Sequence, residues 1–168
     1  MSTPIEIERK FVIALPRIEA LASLKEYTVS EIDQTYLVSE PHVTRRVRAR
    51  RYADRTVYTA TEKVRIDASS AYEDERTLTE AEYLSMLSEI APGTVTLRKT
   101  RHTFAYLGRV FEVDVYPEWQ RSCILEVELQ RADEVIKMPS FIDIVHEVTG
   151  DKRYSNAAMS REFPKELI

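Results

Sequence analysis

The sequence predicts an α+β protein in which an eight-stranded antiparallel β-barrel carries helices on its outside. About eight stretches alternate polar and apolar residues, which is the period of a β-strand. Most of these stretches follow one another with no helix between them, and this order favours antiparallel pairing. Their polar positions carry charges, and a closed barrel offers an interior that takes every second residue of each strand.

The first strand-like stretch is IEIERKF, residues 5–11. Glu6, Glu8 and Lys10 share one face of it, and the apolar residues share the other. We expect a short helix from Pro16 to about Lys25, because proline suits the first turn of a helix.

The central part of the chain predicts four strands and one helix. A strand over residues 32–39 is followed by three more. HVTRRVRAR carries a basic row, RTVYTATEKVRI places Thr59, Thr61 and Lys63 on one face, and AYEDERTL carries an acidic row. Thr79 and Glu82 then have the spacing of a capping box, so a helix is expected to begin there and to end before Pro92.

Three further strands are expected in TLRKTRHTF, RVFEVDVY and ILEVELQ. After them, Phe141, Ile144, Val145 and Val148 have helical spacing, which predicts a helix from Ser140 to a stop at Gly150.

Composition limits the possible classes of protein. A chain of 168 residues with 43% apolar residues predicts one domain spanning residues 1–168. No stretch has the charge pattern of a signal peptide or the roughly 18 apolar residues of a membrane helix, so we expect a cytoplasmic protein without a membrane partner. The net charge of -4 argues against binding of a nucleic acid polymer. The single cysteine, Cys123, is expected to be a packed thiol.

The same charged face recurs in six strands, and within most of them the charges have one sign. An antiparallel sheet with one face in water explains any single strand of this kind. Six together indicate a barrel with a charged interior, where charges must be paired, hydrated or bound to metal. A ligand that contains both a metal and an anion would satisfy such an interior. The six sets are Glu6/Glu8/Lys10, Arg46/Arg48, Glu73/Glu75, Lys99/Arg101, Glu112/Asp114 and Glu126/Glu128.

These motifs resemble those of the CYTH superfamily, the triphosphate tunnel metalloenzymes. EIERK resembles the E-x-E-x-K hallmark, and QTYL, RVR, KTR, FEVDVY, LEVEL and DKRYSN follow in the family order along nearly the whole chain. The resemblance implies an eight-stranded barrel that forms a tunnel and uses Mg²⁺ or Mn²⁺ to act on triphosphates.

The resemblance also implies roles for individual residues. Lys10 and Tyr36 are candidate catalytic residues, and the attacking water would be activated either by a metal ion or by this pair. Arg153 is an alternative to Lys152. The implied metal ligands are Glu6, Glu8, Glu126 and Glu128, with Glu75 and Asp114 as helpers for a second ion. The implied phosphate ligands are Lys10, Arg46, Arg48, Lys63, Lys99, Arg101 and Lys152.

The expected function is that of a metal-dependent hydrolase that cleaves inorganic triphosphate or a similar small triphosphate, such as ATP or thiamine triphosphate. Two alternatives stay open at this point. The first is a class IV adenylyl cyclase that makes cyclic AMP from ATP, and the second is a noncatalytic module that binds polyphosphate or nucleotides. Exposed apolar helix faces would also permit a homodimer.

Overall fold

The computed structural model describes residues 5–168, in which nine strands form one antiparallel sheet. Neighbouring strands follow the order β5-β4-β3-β2-β6-β7-β8-β1-β9, and a further pairing joins β5 to β1. The strands are β1 (Ile5–Ala14), β2 (Lys25–Leu37), β3 (Val43–Arg51), β4 (Thr56–Arg65), β5 (Ser70–Leu78), β6 (Leu97–Tyr106), β7 (Arg109–Val115), β8 (Ser122–Glu128) and β9 (Ile144–Glu147).

Strand β1 closes the sheet into a ring. One of its edges pairs with β8 from Glu8 to Ala14. On its other edge, residues 5–7 pair with β5 and residues 11–13 pair with β9. Eight strands therefore form the closed ring, and the predicted eight-stranded antiparallel barrel is confirmed.

In the part of the chain that the structure describes, three short α-helices accompany the barrel: α1 (Ile18–Ala22), α2 (Glu80–Met86) and α3 (Asn156–Met159). The predicted capping box at α2 is confirmed, since Thr79 Oγ1 accepts from the Glu82 N–H and Glu82 Oε2 accepts from the Thr79 N–H. Within residues 5–168, no helix combines the length and apolar character that crossing a membrane requires.

The predicted helix from Ser140 to Gly150 is wrong, because residues 144–147 form strand β9 instead. Their apolar spacing suits a helix, but Ile144 and Val145 are β-branched and favour extended backbone equally well. The edge of β1 beyond its pairing with β5 has unpaired backbone groups, and β9 supplies their hydrogen-bond partners.

Apolar residues pack on both sides of the barrel wall. Outside, Phe11, Phe111 and Val127 belong to a cluster that includes Leu21 of α1 and the predicted packed thiol, Cys123, which is buried. Inside, one end of the barrel holds a second apolar cluster: Val12, Tyr36, Leu97, Tyr116, Trp119, Ile124, Val148, Tyr154 and Met159. The charged residues of the interior are thus confined to the remaining part.

Candidate active site

A cavity of about 330 Å³ occupies the charged part of the interior. Among residues 5–168, its wall carries seven carboxyl groups and seven cationic side chains. The carboxylates are Glu6, Glu8, Glu73, Glu75, Glu112, Glu126 and Glu128, and the cations are Lys10, Arg46, Arg48, Arg50, Lys63, Arg65 and Arg101.

The two signs lie on different sides of the ring. Strands β7, β8, β1 and β5 are consecutive and contribute all seven carboxylates, together with Lys10. Strands β4, β3, β2 and β6 complete the ring and contribute the other six cations and Tyr36. The alternation of each strand aims these side chains inward, and the strand order sorts them by charge.

The carboxylates of the acidic side are crowded and partly buried. Burial and the nearby Glu126 carboxylate raise the pKa of Glu8 to about 8. Burial and contact with Glu73 raise the pKa of Glu6, and burial and Glu112 raise the pKa of Glu128. Glu6 Oε2 lies 3.2 Å from Lys63 Nζ but makes no hydrogen bond within the described residues. The acidic side would therefore be stabilised by additional positive charge.

Unlike Glu6, Glu8 and Glu128, Glu126 has a lowered pKa, because cations surround it. Its carboxylate oxygens lie 3.4 Å from Lys10 Nζ and 3.6 Å from Arg101 Nη2. Burial disfavours its charge, but these two cations outweigh burial and lower the pKa of Glu126 to about 2. Lys10 Nζ also donates to the Tyr154 carbonyl at 3.2 Å. Although burial opposes its charge, Glu126 and Glu8 raise the pKa of Lys10.

The basic side presents guanidinium groups whose charge is incompletely neutralised. Arg46 Nη2 lies 3.7 Å from Glu73 Oε1, and its buried Nε has no hydrogen-bond partner among the described residues. Arg48 donates from Nε and Nη2 to the amide oxygen of Gln34, which carries no charge. Burial and the neighbouring Arg46 lower the pKa of Arg48 to about 9. This side of the cavity would be stabilised by an anion.

Lys99 and Asp114 are not on the cavity wall, although the sequence predicts both as site residues. Their side chains are fully buried, and Lys99 Nζ donates to Asp114 Oδ2 at 2.7 Å. Arg101 Nε and Nη2 also donate to Asp114, each at 2.7 Å. Burial alone would raise the pKa of Asp114, but the two cations hold it well below its ordinary value. Asp114 therefore supports Arg101, which itself lines the cavity.

Lys152 lies beside a neighbouring cavity of about 440 Å³, and this cavity shares Glu8 and Lys10 with the first one. The remaining residues predicted from the sequence all line the first cavity: Glu6, Glu8, Lys10, Tyr36, Arg46, Arg48, Lys63, Glu75, Arg101, Glu126 and Glu128. The structure thus places predicted site residues from seven different strands on the wall of one cavity.

Several residues at or behind the cavity wall are not among the site residues predicted from the sequence. Thr61 donates to Glu75 at 3.1 Å, and Ser155 and Asn156 reach the wall from the C-terminal segment. Gln34 lies behind the wall and contacts both Tyr36 and Arg48. Its position two residues before Tyr36 in the QTYL motif is the one signal that would have pointed to it.

The donor chemistry of the acidic side fits Mg²⁺ or Mn²⁺, because both ions prefer oxygen ligands. Raised pKa values at Glu6, Glu8 and Glu128 and the unpartnered oxygen of Glu6 agree with this fit. Within residues 5–168, however, no three Asp, Glu, His or Cys side chains already converge on one point as a metal site. Glu6 and Glu126 instead face Lys63 and Lys10.

The fold is similar to that of several solved structures. The inorganic triphosphatase NE1496 is 26% identical, with 98% of this chain and 99% of that chain covered at a TM-score of 0.58. Another crystal structure of NE1496, described as a hypothetical protein, covers 95% of this chain and 99% of that chain at a TM-score of 0.57 and 26% identity.

The fold is also that of PH1012 from Pyrococcus horikoshii OT3, which is 19% identical, with 76% and 81% of the two chains covered at a TM-score of 0.56. No protein-family model matches the sequence, and no curated protein sequence matches it either.

The fold agrees with that of these structures, and the resemblance to the CYTH superfamily drawn from the sequence motifs is confirmed. Among the CYTH-type structures, one at 26% identity over nearly the full length of both chains is an inorganic triphosphatase.

Proposed function

We propose that the protein is a divalent-cation-dependent hydrolase that cleaves a phosphoanhydride bond of inorganic triphosphate or a similarly small triphosphate. The observation that carries this proposal is the division of one cavity into a carboxylate side and a guanidinium and ammonium side. A metal–triphosphate complex has positive and negative parts that match these two sides. The likeness to the inorganic triphosphatase NE1496 supports the same reaction class.

The size of the cavity supports a small substrate. Its volume of about 330 Å³ is at the low end for ligand pockets, which span roughly 300–1,000 Å³. Among the described residues, the polar wall includes a single aromatic side chain, Tyr36, and these residues therefore offer no pair of aromatic rings for stacking a base. Inorganic triphosphate fits this wall better than a nucleotide does.

In this proposal, the basic side holds the phosphate oxygens. Arg46 and Arg48 have the donors and the uncompensated charge for this task, and Lys63 and Arg101 flank them. Phosphoryl transfer depends mainly on positioning and on neutralisation of oxygen charge, which these cations provide. Lys99 and Asp114 contribute by holding Arg101 in place.

The acidic side would hold the cation through Glu6, Glu8, Glu126 and Glu128, with Glu75 as a further donor. When bound, Mg²⁺ or Mn²⁺ supplies neutralisation of phosphate charge and lowers the pKa of water. Glu6 and Glu126 would turn away from Lys63 and Lys10 to reach it, and these two ammonium groups would then face the phosphates. Because Lys10 donates to the Tyr154 carbonyl and faces a carboxylate, we assign it a phosphate-binding role.

The experiment is hydrolysis of tripolyphosphate and of ATP by the purified protein with Mg²⁺ or Mn²⁺, with orthophosphate, pyrophosphate and cyclic AMP measured separately. We expect orthophosphate from tripolyphosphate and its loss on addition of EDTA. Glu6→Gln and Glu126→Gln should each lower kcat/KM by about 100-fold or more, which corresponds to roughly 3 kcal/mol of lost stabilisation.

Glu62→Gln is the matched control, because Glu62 lies on the outer face of β4 and its side chain is 63% exposed. Cyclic AMP and pyrophosphate from ATP without orthophosphate would replace this proposal by a cyclase. Tight, metal-independent binding without turnover would replace it by a noncatalytic binding module.

A further inference from the structure

Gln34 connects two side chains of the cavity wall without reaching the cavity itself. It lies on β2 with none of its surface exposed, directly opposite Arg48 of β3 in the strand register. Its amide nitrogen donates to Tyr36 Oη at 2.6 Å. Its amide oxygen accepts from Arg48 Nε at 3.1 Å and from Arg48 Nη2 at 2.9 Å.

The chemistry of Arg48 fixes which way this amide points. A guanidinium group has donors and no acceptor, so the amide oxygen of Gln34 must face it. The reversed amide would set an NH₂ group against the guanidinium and leave both groups without an acceptor in a buried place. The Gln34 nitrogen therefore faces Tyr36 and donates to it.

This orientation determines the direction of the Tyr36 hydroxyl. The phenol oxygen accepts a hydrogen bond from Gln34, so its own hydrogen must point elsewhere. Tyr36 lines the charged cavity, and no hydrogen bond from its hydroxyl to another described residue is present. Its hydrogen is free to be donated to an oxygen atom inside the cavity.

Gln34 also preserves the charge of Arg48. Within the described residues, the Gln34 amide is the hydrogen-bond partner of the Arg48 guanidinium, and it is neutral. A carboxylate in its place would pair with Arg48 and cancel the positive charge that an anion needs. A glutamine at this position, in place of a glutamate, leaves the positive charge of Arg48 available to bind an oxyanion.

We propose that Gln34 is a positioning residue that makes Tyr36 a hydrogen-bond donor, and Arg48 an uncompensated cation, toward a phosphate oxygen of the bound triphosphate. This inference rests on the proposed function for the identity of the ligand. The arrangement of the three side chains is independent of turnover, so it is open to a test without catalysis.

The test compares Gln34→Glu, Gln34→Met and Tyr36→Phe for tripolyphosphate binding by calorimetry without metal, at one fixed salt concentration. Gln34→Glu is nearly isosteric but turns the Tyr36 hydrogen toward the new carboxylate and pairs Arg48, so affinity should fall by about 30-fold or more. Gln34→Met removes the amide alone and should cost about 3- to 10-fold. Gln120→Glu, at an exposed position outside the cavity, adds the same charge and should leave affinity unchanged.

Two readouts separate positioning from a merely structural role. A double-mutant cycle between Gln34→Met and Tyr36→Phe should show coupling of about 3-fold or more in affinity. In protein carrying ¹³Cζ-tyrosine, the Tyr36 resonance, assigned by its loss in Tyr36→Phe, should shift in Gln34→Glu without any ligand. Additive effects and an unshifted resonance would overturn the inference.

The same experiments keep this inference apart from the proposed function. Hydrolysis by the wild-type protein, with binding by Gln34→Glu equal to wild type, would overturn the role of Gln34 alone. A shifted Tyr36 resonance and coupled binding, with no hydrolysis under any metal condition, would support Gln34 and overturn the hydrolase. Failure of the wild-type protein to bind tripolyphosphate, both without metal and with Mg²⁺ or Mn²⁺, would overturn both the role of Gln34 and the proposed function.

Discussion

Replacing Asp114 by asparagine tests whether this carboxylate supports the wall or binds metal. The substitution keeps the shape of the side chain and removes its charge, which leaves Lys99 and Arg101 facing a neutral group. Asp114 and Lys99 are fully buried, and three hydrogen bonds of 2.7 Å end on the Asp114 carboxylate. Breaking such a buried ion pair costs about 3–5 kcal/mol.

For a chain of this length, that loss lowers the melting temperature by about 6–20 °C, since each kcal/mol corresponds to about 2–4 °C. The assay is urea and thermal unfolding of the metal-free protein. Glu62→Gln serves as the control, because its exposed pair with Arg45 should contribute at most about 1 kcal/mol. A loss below about 1 kcal/mol for Asp114→Asn, together with weaker binding of Mn²⁺, would refute the supporting role and restore Asp114 as a metal ligand.

Three further predictions concern pH, the anion and a close backbone contact. The pKa of Glu8 rises from its ordinary 4.5 to about 8 on folding, so the folded state binds the extra proton. Stability of the metal-free protein should therefore fall as pH rises from 4.5 to 8, and Mg²⁺ should restore it; a flat thermal-unfolding profile over this range would contradict the assignment. Arg46→Gln should weaken metal-free binding of tripolyphosphate by about 10- to 100-fold, and Arg46→Lys should restore part of it, as calorimetry can measure; equal affinities would remove Arg46 from the site. Gly150→Ala should cost about 1–3 kcal/mol in urea unfolding, because φ is +75° there and a new Cβ would lie 2.8 Å from Ala68 Cβ; an unchanged midpoint would contradict this strain.

The alternation of charged and apolar residues predicts which side chains share a face, and its recurrence in six strands together with the resemblance to the CYTH superfamily predicts the barrel. Glu6, Glu8 and Lys10 share a face in any strand, and five other strands repeat the arrangement. Which face is inside is predicted from the number of such strands and from the ordered match of the motifs from QTYL to DKRYSN, because a single charged face is satisfied by water.

The alternation of residues does not predict how far along the barrel axis an inward-facing side chain lies. Lys99 and Arg101 share one face of β6, yet Arg101 lines the cavity and Lys99 lies beyond it, next to the apolar end. Depth depends on the stagger between strands, which is a property of the closed sheet and not of any single strand.

Strand β9 shows the limit of local pattern in another way. Residues 141–148 have spacing that fits a helix as well as a strand, and the deciding interaction is the pairing with the edge of β1. That edge is more than 130 residues away in the sequence, so no local signal reports it.

The most direct test of the account is a crystal structure of the protein grown with tripolyphosphate and Mn²⁺, with anomalous scattering used to locate the metal. Mn²⁺ should be bound by carboxylates from Glu6, Glu8, Glu126 and Glu128, and phosphate oxygens should lie on Arg46 and Arg48 across the cavity. Tripolyphosphate bound outside this cavity, or Mn²⁺ without any of these carboxylates as ligands, would contradict it.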